Sequence, residues 1–249
     1  MAQYDAFAAF YDAVNGEPQE LITQVLSVIA RSGPDTRRIL ELGCGTGAVL
    51  SGLGSGFSLT GIDLSPSMLA HARRRCPDAR LLEGDITDFE LHESFDAVIC
   101  VFDTLNHVTT VEGWESVVAN VAAHLRDGGL FIFDLNTIGR LRDLGDAAPW
   151  VYDFDGNTLV MGVDFSRDPL ALWDIRIFEK TSDTTYRLHH ETIVELGVSL
   201  ARVREILATH FEILEESDTQ GSRPTDNSER AFLVARRTPR EARFATRAP

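Results

Sequence analysis

Short apolar runs and helical apolar periodicity alternate along the first 135 residues of the chain. Helices are predicted to begin near residues 18, 47, 66 and 114, and strands are predicted over 38–42, 59–63, 80–85, 95–101 and 130–134. Ser65 and Pro66 are typical of the N-cap and first position of a helix. Strands that alternate with helices predict a parallel sheet with right-handed crossovers, in which ligands bind beyond the carboxyl ends of the strands.

The pattern changes after about Trp150. Over residues 151–195, apolar and polar positions alternate between turn signals, which predicts three or four antiparallel strands. We interpret residues 1–249 as a single domain in which 151–195 form an antiparallel β insert that covers the substrate. A helix over 198–210 and closing strands over 212–216 and 231–236 complete the pattern, and the tail 238–249 is predicted to be disordered.

Three glycines at alternate positions follow the first strand. Gly43, Gly45 and Gly47 leave room for the backbone to approach a ligand, because glycine has no Cβ. With Ala48, they also satisfy the G-x-G-x-x-A pattern of dinucleotide sites. Asp63, at the end of the second strand, can accept hydrogen bonds from both ribose hydroxyls. NAD enzymes and methyltransferases share these features, so the glycine loop does not separate them.

Four other features separate these two classes of enzyme. Glu41, just before the glycines, would repel a pyrophosphate but suits a sulfonium that carries an amino acid. Asp85 and Ile86 follow the third strand, where they can bond an adenine amino group and pack against its ring. The third and fourth features are the apolar strand at 95–100 and the Asp-Gly-Gly turn before the strand at 130–134.

In this order and spacing, these stretches resemble class I S-adenosylmethionine-dependent methyltransferases, closely over about 35–135 and more loosely to about 237. The resemblance implies an α/β fold: a Rossmann-like, seven-stranded, mostly parallel sheet with a reversed last strand, to which the β insert is added. It also implies S-adenosylmethionine as cofactor and S-adenosylhomocysteine as product. The residues expected around the cofactor are Tyr11, Glu41, Gly43, Gly45, Gly47, Asp63, Met68, Asp85, Ile86 and Phe102. Met68 either covers the adenine or is an ordinary core residue.

The N-terminal segment has two candidate roles. Phe7, Phe10 and Tyr11 have the spacing of an amphipathic helix that uses its aromatic side chains for packing. In similar small-molecule methyltransferases this segment folds over the cofactor and brings a tyrosine to the methionine or substrate end. We favour that role for Tyr11 and treat Tyr4 as a candidate substrate contact.

Candidate acceptor-side residues follow the fourth and fifth strands. His107 is the general-base candidate because its ordinary pKa is near neutrality, although it could instead cap the next helix. Asp103 could orient His107, bind the substrate or touch the cofactor. Asn106 and Asn136 could position a polar acceptor, whereas Asp134, on the same side of its strand as Asn136, could equally cap a turn.

The insert supplies further candidates. Trp150, with Tyr152, Trp173 and Phe178, could form an apolar wall for the acceptor or pack within the insert itself. The run of two histidines and a glutamate at 189–191 has no third ligand at a recognisable spacing, so no metal site is predicted. An exposed edge of the insert could support a homodimer.

Composition narrows the classes of function. The formal net charge is −15, which disfavours binding to a phosphate backbone, and no apolar run reaches the roughly 18 residues of a membrane span. The three cysteines form no C-x-x-C, and the start of the chain lacks the pattern of a signal peptide. These features predict a cytoplasmic protein with no nucleic-acid or membrane partner.

The leading functional hypothesis is methylation of an amine nitrogen on a small-molecule acceptor. It depends on resemblance to amino-sugar N-methyltransferases of natural-product pathways, which share the Tyr-Asp start, the Asp-x-Leu-Asn-His stretch and a late β insert. Methylation of oxygen or sulfur is the alternative. An NAD-linked oxidoreductase is more remote, because the only lysine, Lys180, is not part of a Tyr-x-x-x-Lys motif. A non-catalytic module that binds S-adenosylmethionine is the third class.

Overall fold

The structure is a computed structural model that describes Tyr4 and residues 7–239. The predicted disordered tail lies, from residue 240 onward, outside the described residues. The helices are α1 (Tyr11–Asn15), α2 (Gln19–Ser32), α3 (Ala48–Leu53), α4 (Pro66–Arg75), α5 (Val111–His124), α6 (Ile138–Gly145) and α7 (Leu200–Ala208), with a short 3-10 helix at Thr104–His107. The strands are β1 (Arg38–Leu42), β2 (Ser58–Asp63), β3 (Arg80–Glu83), β4 (Phe95–Cys100), β5 (Leu125–Asn136), β6 (Trp150–Phe154), β7 (Asn157–Arg167), β8 (Leu170–Lys180), β9 (Tyr186–Leu196), β10 (Phe211–Asp218) and β11 (Arg230–Arg237).

Seven strands form the main sheet in the order β10-β11-β5-β4-β1-β2-β3. Neighbouring strands from β5 to β3 pair in parallel, whereas β11 is antiparallel to both β5 and β10. This confirms the predicted sheet with its reversed last strand. The chain winds outward from β1 to β3 and then returns to place β4 on the other side of β1. The switch point between β1 and β4 is where open α/β sheets bind their ligands.

Two apolar layers cover the faces of this sheet. One contains Trp114 and Val117 of α5 and Val203 of α7, packed on Phe131 and Phe133 of β5. The other layer sets α2 and α3 against the opposite face of the same strands. Because both faces are covered, the central strands are almost continuously apolar. The edge of the sheet, where β1 and β4 end, is therefore held by a rigid core.

Three elements differ from the sequence prediction. The helix α5 begins at Val111, because Thr110 caps it by accepting a hydrogen bond from the backbone of Gly113. It runs directly into β5, so Asp127-Gly128-Gly129 forms an irregularity inside the strand and does not end the helix. The helix α6 was not predicted, since its eight residues include a glycine near each end.

The strands β6 to β9 form a separate antiparallel sheet, which confirms the predicted β insert as four strands. One face of this sheet buries Leu159, Ile175 and Ile177 against Phe7 and Phe10 of the N-terminal segment. The insert and the N-terminal segment therefore share a small core of their own. Among the described residues, no helix combines the length and apolar character that a membrane span requires.

Candidate active site

A cavity of about 670 Å³ opens at the carboxyl edge of β1, β2 and β4. Eleven of the predicted site residues lie on its wall. They are Tyr4, Tyr11, Glu41, Gly43, Gly45, Asp63, Met68, Asp85, Ile86, Phe102 and His107. The structure thus brings together side chains from five separate segments of the chain around one space.

The three glycines of the loop share a left-handed backbone conformation but differ in the space around them. Gly43, Gly45 and Gly47 all have φ values in the left-handed region, at 68°, 52° and 77°. A Cβ on Gly43 would lie 2.4 Å from Thr104, whereas a Cβ on Gly45 would meet no protein atom within 4 Å and is on the cavity wall. Gly47 packs against Ala72 of α4 and against Cys76, which follows this helix, and Gly47 is not on the wall. Gly45 is therefore the position that keeps the loop open for a ligand.

Glu41 is an acid buried at the base of the cavity, with 3% of its surface exposed. Burial, and then the nearby charge of Asp63, raises the pKa of Glu41 well above its ordinary value. Its Oε2 atom has no hydrogen-bond partner among the described residues. A buried carboxyl oxygen without a partner is costly in the absence of a ligand, and the ammonium group of a methionine moiety is a suitable donor for it.

Asp63 is held firmly by the backbone. Its two carboxylate oxygens accept hydrogen bonds from the backbone N–H groups of Gly45 at 2.7 Å and Ser65 at 2.8 Å. Asp63 is also on the cavity wall, where the sequence predicts that it accepts from ribose hydroxyls. The arrangement fixes Asp63 relative to the glycine loop.

The loop after β3 forms the part of the cavity where the sequence predicts the adenine. Asp85 is exposed and accepts hydrogen bonds from the backbone and hydroxyl of Thr87, while Ile86 is half-buried against the main core. Met68, near the start of α4, is 3% exposed and also lines the cavity. Both interpretations of Met68 from the sequence are compatible with this position, because it is buried and faces the cavity.

The N-terminal segment closes one side of the cavity with Tyr4 and Tyr11. Asp12 in α1 bonds to Thr46 of the glycine loop at 2.6 Å and to Arg75 of α4 at 3.1 Å. Arg75 also pairs with Glu17 at 3.0 Å. This clasp, formed by Asp12, Glu17, Thr46 and Arg75, ties the segment to the cofactor side of the molecule. The basic run at 73–75 forms the last turn of α4, and Arg75 is the residue of this run that joins the clasp.

His107, the predicted base, lies on the cavity wall, where its Nε2 atom is 3.0 Å from the hydroxyl of Tyr4. The two rings meet edge to face, with centroids 5.3 Å apart. Nε2 is also 3.9 Å from Oδ2 of Asp103. Burial lowers the pKa of His107 from its ordinary value of 6.5, and the charge of Asp103 partly opposes that effect. The ring is therefore neutral at pH 7 and able to take up a proton.

The backbone of the turn after β4 is strained at the two residues that precede the 3-10 helix with His107. Phe102 and Asp103 are consecutive non-glycine residues with φ values of 57° and 50°. Such a conformation costs on the order of 1–3 kcal/mol for each residue. The backbone N–H of Asp103 donates to Oδ1 of Asp134 at 2.7 Å, which helps to hold the turn. Asp103 itself is behind the cavity wall, next to His107.

Sequence reasoning missed Glu195 and Arg230, which complete this region. Arg230, at the start of β11, pairs with Asp103 at 2.6 Å and with Asp134 at 3.0 Å. Glu195, near the end of β9, accepts a hydrogen bond from Asn136 at 3.1 Å. Neither residue belongs to a motif, and Arg230 is 127 residues from Asp103 in the chain. The only signal was local: Glu195 stands between two apolar residues near the end of β9, and Arg230 directly precedes the apolar run 231–235.

Three predicted acceptor contacts are not on the cavity wall. Asn106 is fully buried, and its side chain bonds only to the backbone of Asn136 and Leu196. Asn136 bridges Glu195 and Arg230 behind the wall. Trp150 lies on the edge strand of the insert, where its ring stacks on Trp173 at 6.3 Å and is 37% exposed. The geometry thus gives Asn106 a structural role, because all of its polar atoms are already bonded.

The other insert residues also occupy their own sheet. Trp173 packs in the insert core, whereas Tyr152 is half-exposed. His189 and His190 face opposite sides, as expected for a strand, and pair with Glu179 and Asp174 respectively. The prediction that this run binds no metal stays a prediction, and so does the prediction of a homodimer through the insert.

A family model described as a methyltransferase domain matches residues 39–129. This range contains the glycine loop, Asp63, Asp85 and His107. It ends before the insert and β11, which contribute Glu195 and Arg230. The match therefore covers the cofactor side of the cavity and the turn after β4.

Curated and solved relatives extend the likeness to most of the chain. A dTDP-3-amino-3,4,6-trideoxy-alpha-D-glucopyranose N,N-dimethyltransferase of Streptomyces venezuelae is 33% identical over 131 residues, which cover 52% of this chain and 55% of that enzyme. A SAM-bound amino pentose methyltransferase from Micromonospora echinaspora is 26% identical with a TM-score of 0.78, covering 93% of this chain and 96% of the other. An S-adenosylmethionine-dependent methyltransferase from Clostridium acetobutylicum has a TM-score of 0.84 at 22% identity, with 95% and 99% covered, and shows the same fold.

The sheet order, the open glycine loop and the buried acid at its base agree with these likenesses. Residues 39–129 match a methyltransferase domain, and the fold is that of S-adenosylmethionine-dependent methyltransferases, which the chain resembles as the sequence predicted. The Micromonospora relative binds S-adenosylmethionine, the cofactor that the sequence predicts for this chain. Within that class the chain resembles the amino-sugar N-methyltransferases.

Proposed function

We propose that this protein transfers a methyl group from S-adenosylmethionine to an amine nitrogen of a small-molecule acceptor, such as an amino sugar. The single observation that carries the proposal is the half-buried pair formed by Tyr4 and His107 on the cavity wall. The named acceptors of the Streptomyces and Micromonospora relatives are amino sugars, which supports the choice of nitrogen.

The cofactor side of the cavity is suited to a cationic methionine moiety joined to a nucleoside. Glu41 would accept from the ammonium group, Asp63 from the ribose hydroxyls, and Asp85 with Ile86 would bind the adenine. When bound, S-adenosylmethionine supplies a methyl group that moves to the acceptor lone pair while the electrons of the C–S bond stay on sulfur. Tyr11 and the clasp exclude water from that end of the cavity.

The acceptor side has to orient a nucleophile and remove a proton. A neutral amine attacks without a base, but an amine that enters as an ammonium ion must first lose a proton. His107 is neutral at pH 7 and can take that proton on Nε2, while Asp103 stabilises the imidazolium that results. Tyr4 stays protonated, because burial raises its pKa well above the ordinary value, so its hydroxyl can donate to the acceptor or to His107.

The experiment that tests the acceptor is a turnover screen with S-adenosylmethionine and matched amine, hydroxyl and thiol compounds, including nucleotide-linked amino sugars. Mass spectrometry of each acceptor reports the number of methyl groups added. We expect methylated amines and no product from the corresponding hydroxyl compounds. Turnover of hydroxyl or thiol acceptors alone would replace the nitrogen assignment with the alternative acceptor atom.

A calorimetric titration tests the cofactor assignment separately. We expect saturable binding of S-adenosylhomocysteine, no binding of NAD or NADP, and weaker S-adenosylhomocysteine binding by Asp63→Ala. Binding without turnover of any acceptor in the screen would favour a non-catalytic module.

A further inference from the structure

Three carboxyl groups and one guanidinium group lie together behind the wall formed by Tyr4 and His107. The carboxyl groups belong to Asp103, Asp134 and Glu195, and Arg230 bonds the first two at 2.6 and 3.0 Å. Among the residues that the structure describes, Arg230 is the one cationic side chain paired with these acids. One positive charge therefore faces three groups that could each be negative.

Glu195 is the member of this cluster whose bonded partner is neutral. It is 3% exposed, and its Oε2 atom accepts a hydrogen bond from the amide of Asn136 at 3.1 Å. The same Asn136 side chain accepts from Arg230 at 3.3 Å, so the amide separates the acid from the cation. A third buried negative charge beside Asp103 would be strongly unfavourable.

The acid side chain of Glu195 is also close to the proposed base. Carboxyl oxygens of Asp103 and Glu195 and a ring nitrogen of His107 lie within 4.8 Å of one another. Oδ1 of Asp103 bonds to Arg230, and Oδ2 lies 3.9 Å from Nε2 of His107. A protonated Glu195 can thus donate to Asp103 and help to hold that carboxylate in place.

We propose that Glu195 is a positioning residue for methyl transfer, which stays protonated, donates a hydrogen bond to Asp103 and so keeps Asp103 facing His107. The inference depends on the proposed function only for the role of His107 as the base. The proton on Glu195 is not transferred to the acceptor. It limits the ionised groups to Asp103, Asp134 and Arg230, with a net charge of −1 that balances the proton taken up by His107.

The other groups that face this cluster do not change that balance near neutral pH. Tyr4 and Tyr11 stay protonated, because burial raises the pKa of each. Burial raises the pKa of Asp134, and the Arg230 guanidinium opposes that effect. Burial and the charge of Asp103 raise the pKa of Glu195 well above its ordinary value, which agrees with the geometry.

The test measures the pKa of His107 by NMR titration of the full chain without acceptor. The histidine ring carbons are isotopically labelled, and a chelator is present. The chain has seven histidines, so His107→Gln identifies the signal. We expect the same His107 pKa, within about 0.3 units, in the wild type and in Glu195→Gln, because glutamine reproduces the protonated acid. If Glu195 were ionised, the substitution would lower the pKa of His107 by about one unit or more, and the proposal would be wrong.

Two variants calibrate this titration. Asp103→Asn removes the charge next to His107 and should lower the pKa of His107. Glu212→Gln makes the same chemical change as Glu195→Gln at an exposed position of β10 and should leave the His107 titration unchanged. A flat response to Asp103→Asn would contradict the proposal, because it would show that Asp103 does not act on His107.

A turnover measurement on an accepted amine gives a second readout. Glu195→Gln should keep kcat within about threefold of the wild type, whereas Glu195→Ala should lower kcat by about tenfold or more with an unchanged KM for S-adenosylmethionine. Equal losses in both variants would overturn the proposal, because they would mean that a carboxylate is required. The titration needs no acceptor, so it can be read even if the acceptor assignment fails.

Discussion

Gly45 and Gly43 both have left-handed backbone conformations, but the space around them differs. A side chain on Gly43 would collide with Thr104 inside the protein, whereas a side chain on Gly45 would point into the cavity. Substitution of Gly45 therefore separates ligand binding from folding better than substitution of Gly43.

We predict that Gly45→Ala folds and loses affinity for S-adenosylhomocysteine. The left-handed conformation should cost about 1–2 kcal/mol of unfolding free energy, and the added methyl group would occupy ligand space. Calorimetry should show at least a tenfold weaker Kd, about 1.4 kcal/mol. Gly221→Ala is the matched control, since Gly221 also has a positive φ, with open space around it, in the loop between β10 and β11. Equal affinity of both variants would contradict the role given to Gly45.

The second prediction at this scale concerns the pH dependence of turnover. Because burial lowers the pKa of His107 below 6.5, the neutral base is lost only as the pH falls below that value. With an accepted amine, kcat/KM should therefore rise with pH through a midpoint below 6.5, and His107→Gln should remove this rise.

The size of the His107→Gln loss depends on the acceptor. We expect about tenfold for an amine and about 100-fold for a hydroxyl compound, which needs a base more strongly. If kcat/KM of His107→Gln still rises with pH as in the wild type, the ionisation responsible belongs to the acceptor or to another residue of the protein.

The residues that the sequence identified are those whose role follows from local spacing. Glu41, Gly45, Asp63 and Asp85 each stand at a fixed distance from the end of a strand, and each was found on the cavity wall. Glu195 and Arg230 were missed, because their function depends on contacts with Asp103 and Asn136 across distant parts of the chain. Asn106 shows the opposite error, since a polar residue next to a strand end turned out to bond only to backbone.

At the scale of the element, the N-terminal segment depends on a clasp that no helix pattern reveals. The helix α1 has only five residues and no buried residue of its own, so it cannot be stable without tertiary contacts. The clasp attaches it to the glycine loop and to α4, while Phe7 donates its backbone N–H to Glu191 of the insert at 3.0 Å. The segment is thus held at both of its ends.

We predict that Arg75→Met speeds release of S-adenosylhomocysteine several-fold. The substitution keeps the apolar stem but removes the ion pairs with Asp12 and Glu17, which are partly exposed and worth up to about 1 kcal/mol. Stopped-flow fluorescence gives the release rate, and thermal unfolding should change little. Arg74→Met, one position earlier and exposed, should release the product at the wild-type rate. Identical rates in both variants would mean that the clasp does not retain the ligand.

The predictability of the elements also has a physical basis. The strands β1, β2 and β4 are apolar runs covered on both faces, and their positions were predicted to within one or two residues. The start of α5 and the whole of α6 were not found, because a side-chain cap and packing against the insert decide them. Such contacts override the weak local preference of a short glycine-containing segment.

At the scale of the whole molecule, function is divided unevenly along the chain. The cofactor side is supplied mainly by one stretch between Glu41 and Ile86, whereas the acceptor side draws on the N-terminal segment, the turn after β4, the insert and β11. A motif can be recognised only where its residues are close in sequence. This explains why the class of protein was predictable and the acceptor was not.

The overall charge leads to a prediction about partners. A net charge of −15 repels phosphate backbones, and Arg75, in the basic run of α4, is already paired within the clasp. We expect no electrophoretic shift of duplex DNA or tRNA at about 0.15 M salt, where electrostatic binding is still measurable for basic proteins. A discrete shifted band that weakens with added salt would contradict this expectation.

The left-handed backbone of Phe102 and Asp103 has a consequence for anyone who evolves this protein in the laboratory. Glycine at position 103 would relieve strain on the order of 1–3 kcal/mol while it deletes the carboxylate beside His107. A library sorted only by heat resistance would therefore enrich inactive clones at this turn. Position 102 has a different trade-off, because Phe102→Gly would relax the same turn and keep the Asp103 carboxylate but would remove an aromatic side chain from the cavity wall.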